Sequence, residues 1–133
     1  MSQTSKIIDL PKIKDDRGNL TYIESFHLPF TIKRVFWTYD VPGGETRGGH
    51  AYKSQEEFII ALSGSFDVVI TDVNKELHRF SLKRSYYGLY LPPLTWRHME
   101  NFSTNSLGLH LSSSLYNESD YIRDFEKFKI GKK

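Results

Sequence analysis

Residues 44–64 hold the densest set of side chains able to do chemistry. Arg47, His50, Tyr52 and Glu57 follow one another between Gly44 and Gly64. A histidine with an ordinary pKa of about 6.5 is largely neutral near pH 7 and suits the removal of a proton. A tyrosine, at about 10, is a poor base there but a competent hydrogen-bond donor. If His50, Tyr52 and Glu57 lie on neighbouring strands, their side chains point into one cavity. This stretch is therefore expected to form the wall of an active site, and the rest of the chain its container.

The container reads as sheet. The 133 residues suffice for one domain with a real core, and 38% hydrophobic and 26% charged residues are the proportions of an ordinary globule. Aromatics are abundant and sit beside β-branched residues, which favours strands. Short alternating runs are expected as strands at Lys6–Leu10, Asn19–Ser25, Ile32–Asp40, Ser65–Thr71, Glu76–Leu82, Ser85–Leu91, Trp96–Ser103 and Ser106–Ser112. Turn signals separate them at Asp15-Asp16-Arg17-Gly18, Pro42-Gly43-Gly44 and Ser63-Gly64. In Ile32–Asp40 both faces carry aromatics, so both are expected to be covered. The pattern predicts an antiparallel sandwich or barrel. Asn117 and Asp120 resemble a capping box, and Tyr121, Ile122, Phe125 and Phe128 follow at helical spacing, which predicts one helix over about 118–128.

Composition removes several function classes. A net charge of +2 argues for neither nucleic-acid nor membrane binding. With no cysteines there are no disulfides and no thiolate metal sites. No apolar run approaches the ~20 residues of a membrane span, and the polar start lacks a signal-peptide core, so a cytoplasmic protein is expected.

The residues also carry a resemblance. Gly44, His50, Tyr52, Glu57 and Gly64 stand at the spacing of the first cupin motif, with tyrosine in place of its second histidine. Gly88-Leu89-Tyr90-Leu91-Pro92-Pro93-Leu94-Thr95-Trp96-Arg97-His98 resembles a degraded second motif. Lys33-Arg34-Val35-Phe36, Arg47-Gly48-Gly49-His50-Ala51, Asn101-Phe102-Ser103 and the segment from Tyr116 to Phe128 make a narrower match. Over residues 6–128 the chain resembles the sugar nucleotide 3,4-ketoisomerases, which act on dTDP-4-keto-6-deoxy-D-glucose. The implied fold is an all-β, cupin-type antiparallel barrel or jelly roll with one C-terminal α-helix. Residues 1–133 are expected to form a single domain, with the barrel at about 6–115 and the helix at about 118–128.

The resemblance implies a cofactor-independent isomerase that moves a ketone from C4 to C3 through an enediolate. His50 stands where the family has its base, and Tyr52 is the candidate donor and enediolate partner. Arg47 and Arg34 are candidates for the pyrophosphate, because guanidinium matches phosphate oxygens in pairs. Arg17 and Arg97 occupy positions that help decide how the sugar sits, and an Arg–Arg pair leaves the C4 configuration of the product open. Tyr39, Tyr90 and Trp96 are aromatic surfaces for thymine or sugar. The implied partner is a second copy of the chain, often with the N-terminal strand exchanged. The product would feed deoxyamino sugars to O-antigen or S-layer glycans. Two alternatives remain on the residues alone. One is a metal-dependent cupin enzyme using His50, Glu57 and His98. The other is a non-catalytic sugar-nucleotide-binding module. His27, His78 and His110 receive no role.

Overall fold

The computed structural model describes residues 4–131. Twelve strands follow in order. They are β1 (Lys6–Asp9), β2 (Lys12–Ile13), β3 (Leu20–Thr21), β4 (Arg34–Tyr39), β5 (Arg47–Tyr52), β6 (Glu57–Ser63), β7 (Phe66–Thr71), β8 (Leu77–Leu82), β9 (Tyr87–Leu91), β10 (Trp96–Glu100), β11 (Leu107–Ser112) and β12 (Tyr121–Ile122). A short helix, α1 (Phe125–Gly131), closes the described chain. Two five-stranded antiparallel sheets face each other, in the orders β1-β9-β6-β11-β4 and β12-β5-β10-β7-β8, and β2 pairs with β3 as a separate ribbon. This is the antiparallel β-architecture that the strand spacing predicts, and the cupin-type fold with one C-terminal helix that the resemblance implies.

The alternation along each strand sets what the two sheets enclose. Ile59, Ala61, Leu89 and Leu91 of the first sheet meet Phe66, Val68, Ile70, Leu82 and Met99 of the second in the inter-sheet core. The intervening residues Phe58, Ile60, Tyr90 and Leu111 point the other way. They form a second core with Leu10, Leu28 and Phe30 on the outer face of the first sheet. At the β6–β7 hairpin Gly64 has φ +68°, and a Cβ there would meet Ser103 Oγ at 2.4 Å and the Ser106 Cα at 2.9 Å. Both the turn and the packing therefore require glycine.

Three expectations are corrected. The strand expected over Asn19–Ser25 shrinks to Leu20–Thr21 and is followed by a 3-10 turn at Ser25–His27. The outer face of β4 is not covered: Val35, Trp37 and Tyr39 are 47%, 57% and 60% exposed. The helix expected over 118–128 is three elements, a 3-10 turn at Glu118–Asp120, β12, and α1 beginning at Phe125. Asn117 does cap a turn, accepting from Ser119 N at 3.2 Å. Asp120, however, turns inward and accepts from Ser54 N, Ser54 Oγ and Gln55 N at 2.8–3.0 Å. Those three bonds hold the chain extended where it pairs with β5, so a tertiary contact overrides the local helical pattern. Among the described residues no helix is long and apolar enough to cross a membrane.

Candidate active site

The wall is built from β5, β10, β6, β11 and β4. Arg97 of β10 lies opposite His50 of β5, but His98 lies opposite Gly48, so Gly49 is an extra residue and β5 carries a bulge. Gly48 and Gly49 have φ of +95° and +83°, and a Cβ on Gly48 would lie 3.1 Å from the His98 Cα. The paired glycines thus permit the bulge, which sets the register of His50 and Tyr52 against the barrel interior. Between the sheets lies a cavity of about 80 Å³, lined by Phe36, Thr38, Arg47, Gly48, His50, Glu57, Ile59, Arg97, Met99 and His110. That is far below the roughly 300–1,000 Å³ of a site enclosing a drug-sized ligand, so it suits only the reacting end of a larger molecule.

Its floor is a buried charge network. The Glu57 carboxylate accepts from Arg97 Nη1 on one oxygen. Its other oxygen lies 2.5 Å from His110 Nδ1, which must carry the hydrogen because a carboxylate only accepts. The far nitrogen of His110 meets Thr38 Oγ1 at 3.2 Å, and its ring stacks on Phe36 at 4.5 Å. All three charged or titratable partners are nearly inaccessible, with side chains 2–4% exposed. Burial raises the Glu57 carboxyl, but the charge of Arg97 and the hydrogen bond from His110 overcome it and bring it down to about 2.

Above this floor His50 is pushed down to about 3, first by burial and then by the nearby charge of Arg97. It is a neutral imidazole at physiological pH. Its Nε2 is buried and has no hydrogen-bond partner, and the same holds for Nη2 of Arg97. Buried polar atoms are nearly always satisfied, so two orphaned ones on residues lining one cavity mark a place for a ligand. Tyr52 is 1% exposed, its ring 4.8 Å from that of His50 and 4.9 Å from the Arg97 guanidinium carbon. Burial, then the charge of Glu57, raises its phenol well above the ordinary value, so it stays protonated.

The structure brings His50, Tyr52, Arg47 and Arg97 together. Arg34 stands beside them on β4, stacked over Phe36 with its guanidinium carbon 4.8 Å from the ring centroid and donating to Gln55 Oε1 at 3.4 Å. Tyr39 is exposed and shares a shallow depression with Arg47. The other expected contact residues lie away from this cavity. Tyr90 packs in the outer core, and its hydroxyl donates to Glu56 at 2.6 Å. Trp96 lies on the outer face of β10 beneath α1, 5.0 Å from Phe125 and 5.7 Å from Phe128. Arg17 sits in the β2–β3 turn, its side chain 89% exposed and paired with Asp15 at 2.8 Å. His98 also points outward, to Glu100 at 3.0 Å, so His50, Glu57 and His98 do not converge on one ion. Among the described residues the set with metal-ligand spacing is Asp72, Glu76 and His78, on and beside the β7–β8 turn. It borders a larger cavity of about 230 Å³, where Asp72 and His78 already pair at 3.0 Å.

His110 is the functional side chain that the sequence reading passed over. Its only sequence signal is a polar residue at an inward position of an apolar strand, Leu107–Ser112.

Fold and site together define a cupin-type barrel presenting a neutral histidine and two arginines to a cavity between its sheets, with a buried tyrosine packed behind the histidine. Residues 3–133 match the family described as FdtA: WxcM-like, C-terminal. The TDP-4-oxo-6-deoxy-alpha-D-glucose-3,4-oxoisomerase of Aneurinibacillus thermoaerophilus is 40% identical over 126 residues, covering 94% of this chain and 90% of that one. The crystal structure of QdtA, a sugar 3,4-ketoisomerase from Thermoanaerobacterium thermosaccharolyticum in complex with TDP, superposes with a TM-score of 0.93 at 34% identity, covering 99% and 96% of the two chains. WlaRB, a TDP-quinovose 3,4-ketoisomerase from Campylobacter jejuni, gives 0.89 at 38% identity, covering 95% and 97%. The chain belongs to the FdtA-like family of sugar nucleotide 3,4-ketoisomerases.

Proposed function

We propose that the protein moves the ketone of TDP-4-keto-6-deoxy-D-glucose from C4 to C3. The observation that carries this is the pair of buried, unpartnered nitrogens, His50 Nε2 and Arg97 Nη2, on residues lining one cavity. His50 takes the C3 proton. The resulting enediolate supplies the negative charge that a buried imidazolium lacks, and the Arg97 guanidinium and the Tyr52 hydroxyl stabilise the enediolate oxygens. Arg47 and Arg34 bind the diphosphate, and Tyr39 beside Arg47 offers a face to the base. The steps are proton transfers and need no redox cofactor. A nucleotide-linked substrate places the reaction in the cytoplasm, with the 3-keto product going on to deoxyamino sugars for surface glycans.

The pH profile tests the electrostatics. The free-enzyme base governs kcat/KM, and a base held near 3 stays deprotonated as pH falls. Between pH 8 and 5, kcat/KM is expected to stay flat to within about twofold, where a histidine at 6.5 would lose roughly 30-fold. Formation of the 3-keto product, read from its new carbonyl carbon by NMR, tests the function itself. An acid limb centred near 6.5 would show that His50 is not desolvated as described.

A homodimer is part of the proposal. β2 and β3 pair with each other rather than with either sheet, and Ile13, Leu20 and Tyr22 on or beside this ribbon are 54%, 55% and 41% exposed. β4 is an edge strand whose outer apolar side chains lie open. An exchanged ribbon would cover such an edge. Arg17 sits on that ribbon outside its own cavity, so the role the resemblance gives it is met only from a partner's ribbon. Trp37→Glu is expected to shift the protein from dimer to monomer in light scattering. A dimer unchanged at micromolar concentration would place the interface elsewhere.

A further inference from the structure

β12 places Tyr121 directly opposite Tyr52 in β5. The two hydroxyls are hydrogen-bonded at 3.3 Å. The rings of His50, Tyr52 and Tyr121 meet one another at 4.8, 5.1 and 4.8 Å between centroids, so Tyr121 completes an aromatic cage around the base. This third side is held firmly. Asp120, one residue earlier, is fixed to the backbone of Ser54 and Gln55, and two residues on the Arg123 guanidinium carbon lies 4.1 Å over the Tyr121 ring. Arg123 is itself held by two hydrogen bonds to Glu118 at 2.7 and 2.9 Å. Tyr52 is sealed from solvent, whereas Tyr121 is half-buried.

We propose that Tyr121 is a positioning and proton-relay residue for the isomerisation, acting through Tyr52. This rests on the ketoisomerase reading above. The reaction moves two protons. One leaves carbon C3 for His50, and a proton from His50 or from water it has exchanged with is delivered to carbon C4. The other leaves the C3 oxygen as its C–O bond becomes a carbonyl, and one arrives on the C4 oxygen as that carbonyl becomes a hydroxyl. C3 is oxidised and C4 reduced within the same molecule, so no outside oxidant or reductant enters. Tyrosine has one proton and a buried phenolate is costly, so Tyr52 alone would have to give to one oxygen and receive from the other in a single concerted step. A second hydroxyl in contact removes that limit. Tyr52 gives its proton to the C4 oxygen while taking that of Tyr121, which is left as a transient phenolate, and the reverse shift carries the proton of the C3 hydroxyl through Tyr52 back to Tyr121. Both tyrosines end as they began. Arg123 over the Tyr121 ring favours any phenolate character that develops there.

The test is a double-mutant cycle on kcat and KM with TDP-4-keto-6-deoxyglucose, using wild type, Tyr52→Phe, Tyr121→Phe and the double variant. Phenylalanine keeps the ring contacts and removes only the hydroxyl. Each single variant is expected to lose roughly 10–100-fold in kcat with KM within about twofold, and the double variant to be no slower than Tyr52→Phe within about twofold. A second pair separates relay from scaffold. In Tyr52→His, whose ring has two nitrogens to accept and donate, adding Tyr121→Phe is expected to cost less than about threefold. A purely structural defect would persist there in full. Wild-type kcat in Tyr121→Phe, multiplicative losses in the double variant, or an undiminished loss in the Tyr52→His background would each overturn the relay. A wild-type protein that forms no 3-keto product would overturn the proposed function and this inference together, whereas normal turnover by Tyr121→Phe overturns this inference alone.

Discussion

Replacing His50 by asparagine is expected to lower turnover of TDP-4-keto-6-deoxyglucose by about 10³-fold or more, the upper part of the range for a general base. The fold should survive the change. His50 is not part of the Glu57–Arg97–His110 network, and its Nε2 has no partner to lose. Stability should respond in a particular direction. The folded pKa of His50 lies below its unfolded value, so the unfolded state binds the extra proton as pH falls below about 6.5. The wild type therefore loses stability between about pH 6.5 and 3 through this group, and His50→Asn removes that part of the loss. The variant should be inactive yet relatively more acid-resistant between pH 7 and 5, which melting curves at several pH values would check. An active variant would exclude His50 as the base. A variant with the same acid sensitivity as wild type would contradict the burial assigned to it.

Glu57→Gln is expected to have the largest effect on stability. It leaves the Arg97 guanidinium, 2% exposed, without a counter-charge, and removing one member of a buried pair costs about 3–5 kcal/mol. For a chain of this size that is a fall of roughly 10 °C or more in melting temperature. The cost arises from the stranded charge and not from a large favourable worth of the pair, so a Glu57→Gln, Arg97→Met protein should recover most of the stability while remaining catalytically poor. Calorimetry on the two variants checks this. A Glu57→Gln protein melting within about 2 °C of wild type would mean that the network is not buried and charged as described. Glu57 also adds to acid lability on its own account. Its folded pKa, near 2, lies below the ordinary carboxylate value, so its stabilisation is fully present above about pH 4.5 and is lost as pH falls toward 2.

Much of this site is legible in the sequence because it is local. His50, Tyr52 and Glu57 belong to two consecutive strands, and Ser63-Gly64 after them marks the turn, although the bulge at Gly48-Gly49 is not read from the sequence. What is not legible depends on which face of a strand looks inward. In Leu89-Tyr90-Leu91 every residue is buried because β9 is covered on both sides, so the period-two pattern does not separate the cavity face from the outer core. Tyr90 falls on the outer core for that reason, whereas Trp96 lies on the outer face of β10 beneath α1. His110 lies 53 residues from Glu57 in sequence, and only the β6–β11 pairing brings the two strands together. The late segment is a different case. Tyr121, Ile122, Phe125 and Phe128 do fall at helical spacing, but Asp120 finds three donors on the β5–β6 connection and holds the next residues as a strand. The same tether that breaks the expected helix brings Tyr121 to Tyr52.

The most direct measurement is proton exchange at C3 of TDP-4-keto-6-deoxyglucose, followed by NMR in D₂O with the wild-type protein. Loss of the C3 proton signal, accompanied by a new 3-keto carbonyl and the configuration at C4 readable in the same spectrum, is the predicted result. A C3 proton signal that persists at full intensity, with no new ketone, would contradict the assignment of this barrel as a 3,4-ketoisomerase.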